Sequence, residues 1–204
     1  MKKIVIGLLT ISILMISCSK DMELEQSIFI ADPEFPGLPE YSEWGYNTFG
    51  AYYDREVFVS NTMEIPLKVI VTSDTTSFSF KGQKGGSINY YSSEAMNIRF
   101  IIPGFFPMQY SDLIVLNEST VDIGELGGDI EIYINNNRVQ ATILNGILNF
   151  NRVQRLVVDD QEMQLILSGY FFFQAIINGE PISISNGRFD VGVGASNFFD
   201  LSAL

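Results

Sequence analysis

Histidine is absent from the 204 residues, and cysteine occurs once, at Cys18. Without imidazole there can be no Ser-His-Asp or Cys-His nucleophile pair, most zinc chemistry is lost, and the usual general base near neutral pH is missing. A single thiol excludes disulfides, thiolate clusters and redox pairs, so stability has to come from packing. Charge is sparse, at 18% of the chain, and basic residues are the scarcer kind, 12 against 24 acidic, for a formal net charge of -12. That field repels phosphate backbones and sets aside a nucleic-acid role. It equally disfavours anionic lipid headgroups, so attachment to a membrane would have to be covalent.

What is present is apolar. A hydrophobic fraction of 47% and an aromatic fraction of 13% are the profile of a packed globular chain, long enough for one domain with a continuous core. Lys2 and Lys3 precede an apolar run from Ile4 to Ile16. This is the form of an export signal, and it is shorter than the ~20 residues that span a bilayer. Met15-Ile16-Ser17-Cys18 follows, with a small residue directly before the only cysteine. The motif resembles the lipobox of bacterial lipoproteins. It implies cleavage between Ser17 and Cys18, a thioether-linked diacylglyceryl group on the Cys18 sulfur and acylation of the new amino group. One acyl chain binds reversibly at ~0.8 kcal/mol per buried methylene, whereas two or more hold stably. Ser19-Lys20-Asp21-Met22-Glu23 is similar to the lysine-and-acid signal that sends Bacteroidota-type lipoproteins to the cell surface. The expected location is the outer membrane, with the surface favoured over the periplasmic face.

Three segments are therefore expected: a signal peptide over 1–17, a lipidated and extended tether over 18–45, and a single β domain over 46–204. Pro33, Pro36 and Pro39 amid scattered acids predict a spacer, one that could reach about 80 Å at ~3.1 Å per residue. Ile28-Phe29-Ile30 is its one apolar patch and an alternative edge strand.

Beyond Tyr46, short apolar runs alternate with turn residues and no helical period persists. Candidate strands include 48–53, 56–60, 67–72, 77–81, 87–91, 97–102, 112–116, 129–135, 138–144, 146–158, 163–177 and 181–193. Ile130, Ile132 and Ile134 alternate with polar neighbours, whereas Leu165-Ile166-Leu167 and Tyr170-Phe171-Phe172-Phe173 are apolar on both faces. Asn178-Gly179, Asn135-Asn136-Asn137 and Asp159-Asp160 sit where hairpin turns are needed. The fold class is all-β, an antiparallel β-sandwich with a β-barrel as the alternative.

Chemistry-bearing motifs are few. Asp159, Asp160 and Glu162 cluster at a hairpin tip without the spacing of a calcium loop. Neither 81–87 nor 125–129 fits a phosphate loop, and no helix follows either one. No catalytic residue, metal site or cofactor is expected. Tyr52-Tyr53 and Tyr90-Tyr91 must each turn one ring outward on a regular strand, and exposed rings stack on sugars, which makes these four the candidate ligand-binding residues.

Asn47-Thr48-Phe49-Gly50, reached from a proline-bearing linker and followed by Val57-Phe58-Val59, together with the closing Gly187-Arg188-Phe189, resembles a group of small uncharacterised Bacteroidota-type lipoproteins. The resemblance covers the leader, the start of the domain and its end, and it implies no activity. The functional expectation is a non-enzymatic, membrane-anchored module binding an unknown protein or glycan. The alternatives are a structural component of the envelope or surface fibres, and a two-carboxylate hydrolase acting on glycans.

Overall fold

A computed structural model of the chain describes residues 24, 26–60, 65–86, 93–124 and 127–202. Twelve strands follow in order: β1 Thr48–Tyr53, β2 Glu56–Val59, β3 Leu67–Val71, β4 Thr75–Lys84, β5 Glu94–Pro103, β6 Ser119–Ile123, β7 Asp129–Ile134, β8 Asn137–Arg138, β9 Ala141–Val158, β10 Gln161–Ile177, β11 Glu180–Val193 and β12 Phe198–Asp200. A 3₁₀ helix, Tyr110–Leu116, stands between β5 and β6. The expected all-β, mainly antiparallel architecture is what the chain adopts.

All twelve strands belong to one open sheet, ordered β6-β9-β10-β11-β1-β2-β4-β5-β7-β8, with β3 on β4 and β12 on β3. The fold turns on β4. Its first half pairs β3 through Thr76 to Phe80, and its last two residues, Gln83 and Lys84, pair β2. The sheet therefore bends there into two layers, β6-β9-β10-β11-β1-β2 facing β3-β4-β5-β7-β8, and rings from opposite layers meet between them. Phe80 of β4 touches Phe171 of β10 and Phe189 of β11, while Phe78 touches Phe150 of β9. Nine phenylalanines are buried in this core, and each fully buried ring contributes about 1.5–3 kcal/mol. At the far side, among the described residues, a parallel bridge from Ile123 to Gly128 and the Gly128 amide's bond to the Asp122 carbonyl link β6 to the approach of β7.

Two-residue turns that close hairpins include Asn135-Asn136, Asp159-Asp160 and Asn178-Gly179. All six residues have positive φ, from 50° to 90°, the conformation that matches the right-handed twist of paired strands.

Several sequence expectations shift. Residues 112–116 are not a strand. Asp112 accepts hydrogen bonds from the amides of Met108 and Gln109, closing a capping box, and Leu113 and Leu116, three apart, face the core from a 3₁₀ turn. The candidates 138–144 and 146–158 largely merge into the continuous β9, which runs through Asn145-Gly146 as strand and shifts register against β10 between Ile143 and Asn145. β6 and β12 lie outside the expected set. The candidate strand 87–91 lies outside the described residues.

Candidate functional site

Residues 26–47, expected mostly as free spacer, cross the outer face of β9, β10 and β11 and are held there by two aspartates. Asp190 of β11 is buried, and its carboxylate accepts the amide hydrogens of Trp44, Gly45 and Tyr46 at 3.1, 2.8 and 3.1 Å. The hydroxyls of Ser42 and Ser168 donate to the same carboxylate. Asp32, within the crossing segment, accepts the amides of Glu34 and Phe35 and pairs with Arg188, whose guanidinium lies 4.5 Å over the Phe35 ring. Asn47 completes the attachment: its side-chain amide donates to the carbonyls of Leu24 and Gln26, and its oxygen accepts from the Gly192 amide. Proline density predicted an extended chain, but a buried acceptor for three successive amides makes docking favourable. Ile28, Phe29 and Ile30 stay exposed. Around them, the Ile28 amide donates to Tyr46 and the Glu40 amide to Ile30, inside the segment.

The crossing segment covers only half of the outer face of β10. Gly45 sits over Ile166, and Ser168 bonds Asp190, so the first half is closed. At Tyr41 the cover ends: its ring stacks on Tyr170 at 4.4 Å and 22°. Burial pushes both phenols above their ordinary range, with Glu43 adding to the effect, so both rings stay neutral. Onward from there Tyr170, Phe172 and Ile176 are 41%, 45% and 39% exposed, alternating along the strand with buried Phe171, Phe173, Ala175 and Ile177. The row is about 20 Å long at ~3.4 Å per residue.

Amides flank these rings. Asn149, Ile147 and Asn145 of β9 stand opposite Tyr170, Phe172 and Gln174. The Asn145 amide donates to Gln174 and the Asn149 amide to the Thr120 hydroxyl, at 3.1 and 2.7 Å. Asn151 donates to the Tyr41 hydroxyl and to Glu43. Each bond fixes an amide in one orientation and leaves its other capacity to solvent. The two-sided apolar run in the sequence was the signal for this row.

The four tyrosines singled out from sequence are placed differently. Tyr52 is half-buried and its hydroxyl donates to the Pro36 carbonyl, so it supports the crossing segment. Tyr53 is buried at the rim of the core, with the Lys84 ammonium 4.7 Å from its ring centre. Tyr90, Tyr91, Ser17 and Cys18 lie outside the described residues. Asp159 and Asp160 form a hairpin turn, and Glu162 pairs with Arg155. Among the described residues no three potential metal ligands converge, and no helix is long and apolar enough to cross a membrane.

No family model, curated protein or solved structure matches the chain.

Proposed function

We propose that the protein is a lipoprotein anchored through Cys18 in the outer membrane, facing the cell surface, and that it acts as a non-enzymatic module binding a neutral glycan chain along the outer row of β10. One observation carries this reading: Phe172 and Ile176, and in part Tyr170 beneath Tyr41, stay exposed on a face whose other half the chain has covered with its own residues 41–46. Sugars present apolar C–H faces ringed by hydroxyls. The rings of Tyr170 and Phe172 suit the first, and the oriented amides of Asn145, Asn149 and Gln174 suit the second. No charged side chain lies within the row itself, which favours a neutral chain.

The test is titration of the full-length lipoprotein, in non-ionic detergent, with soluble neutral polysaccharides by calorimetry. Binding that weakens at least tenfold in Phe172→Ala, with the melting temperature held, supports the reading. Absence of binding to any neutral glycan refutes it.

A second reading, a component of a surface assembly, is favoured by the outer edge of β6, which has one strand neighbour, β9, and a single bridge at Ile123. Unpaired strand edges are templates for another chain. A detergent-solubilised protein that runs as a monomer at all concentrations speaks against it.

A further inference from the structure

The outer face of the second layer carries a different chemistry. Strand alternation and register put Ser79 and Lys81 of β4, Asn97 and Arg99 of β5, Glu131 and Tyr133 of β7, and Arg138 of β8 side by side: Ser79 opposes Arg99, Lys81 opposes Asn97, and Arg99 opposes Glu131. Between them is a cavity of about 220 Å³ lined by Lys81, Asn97, Arg99, Tyr133 and Asn136.

The acceptors around this cavity are already taken. Glu131 accepts from Arg99 Nη1 at 3.2 Å and from the Tyr133 hydroxyl at 2.8 Å through one oxygen, and pairs with Arg138 at 3.1 Å through the other. Asn97 Oδ1 accepts the Ser79 hydroxyl at 2.9 Å, which fixes the amide and leaves its NH₂ group without a partner among the described residues. The donors are not taken. Arg99 is held through one arm and by the Tyr133 ring, 5.3 Å from its guanidinium carbon, while its buried Nε has no acceptor. Lys81 has no ion pair among the described residues. Three cations against one carboxylate leave a local excess of positive charge in a chain of net charge -12. Screening over ~8 Å makes that local balance, and not the total, what a small ligand meets.

We propose that this cavity binds a carboxylate-bearing ligand the size of one sugar ring, an acidic sugar, with Lys81 and Arg99 holding the carboxylate and the Asn97 and Asn136 amides meeting ring hydroxyls. A planar guanidinium clamped on one side and an ammonium without an ion pair among the described residues on the other form a donor pair suited to a carboxylate. Neither the site nor its ligand depends on the row of β10, which lies on the outer face of the opposite layer.

The experiment titrates the full-length lipoprotein, in non-ionic detergent at fixed salt, with sodium glucuronate, glucose, acetate and inorganic phosphate in separate arms. Glucuronate should bind and glucose should not. Lys81→Gln, which removes no structural contact, should weaken glucuronate at least tenfold with an unchanged melting temperature, and Arg99→Gln should do the same or more. The proposal is overturned if glucuronate does not bind, if Lys81→Gln leaves its affinity unaltered, or if acetate or phosphate binds as tightly.

Discussion

Asp190 makes five contacts with one side chain, three to amides of the crossing segment and two to hydroxyls. Asparagine has the same shape but half the acceptor capacity, and its NH₂ would face backbone donors. Hydrogen bonds to a charged group contribute about 1.5–3 kcal/mol, and a buried donor left open costs a similar amount. Asp190→Asn should therefore destabilise by about 3 kcal/mol, read as a lower urea midpoint. Amide exchange at Trp44, Gly45 and Tyr46 should accelerate while the amides of β5 stay protected. Equal exchange at those three positions in both proteins would show that the carboxylate is not what holds the segment.

Asp32 gives the same attachment a pH dependence. Burial pushes its carboxyl up, but the amides of Glu34 and Phe35 and the Arg188 guanidinium outweigh this and hold it below the ordinary value of 3.8. A depressed carboxyl stabilises the fold at pH values above its unfolded-state pKa, and the contribution fades as pH falls through the folded value. Asp32→Asn should thus lower stability at pH 7, and the gap between the two proteins should narrow steadily below about pH 4. A gap that stays constant down to pH 2 would contradict this.

At the scale of elements, what sequence revealed was local. The turns Asn135-Asn136, Asp159-Asp160 and Asn178-Gly179 were legible because positive φ is a property of those residues themselves. The two-faced run of β10 was legible as well, but not what covers it, because Asp190 and Ser42 lie 148 positions apart. Nothing near Ser42 announces a carboxylate that far along the chain. β12, three residues pairing in parallel with β3, was hidden for the same reason, and β6 because its polar residues form a short edge strand. The exposed row of β10 could be glimpsed from its rings, whereas the Lys81–Arg99 cavity required the register of three strands.

β10 also supplies a sharp packing test. A Cβ on Gly169 would lie 1.9 Å from the Asn149 carbonyl oxygen and 2.8 Å from the Phe189 ring. The first contact is with the backbone of the neighbouring strand, at a register shift that already bends the ladder. Gly169→Ala should cost about 3 kcal/mol, at the upper end of ordinary overpacking, seen as a drop in melting temperature. A variant as stable as the natural protein would mean that β9 yields more easily than its pairing implies.

For the whole molecule, if the chain is anchored through Cys18 as proposed, the docked segment limits how far the domain can stand from the membrane. If the chain were free from Cys18 to Tyr46, its reach would be on the order of 80 Å. Because Asn47 holds the Leu24 carbonyl at 2.7 Å, at most about 20 Å of chain, at ~3.6 Å per residue, separates that fixed point from an anchor at Cys18. The net charge of -12, which becomes -14 when Lys2 and Lys3 leave with a cleaved leader, would push such a tethered domain away from an anionic surface, so the leash should be drawn taut and the crossing segment should carry the load. Neutron reflectometry of the lipidated protein on a supported bilayer should find a gap no greater than about 20 Å. In a doubly substituted Asp32→Asn, Asp190→Asn protein the segment should peel away and the gap should widen by tens of ångströms, most at low salt, where repulsion is least screened. A wide gap in the natural protein would mean that residues 26–47 do not stay docked under tension, and an unchanged gap in the double variant would mean that these two aspartates are not their fastening.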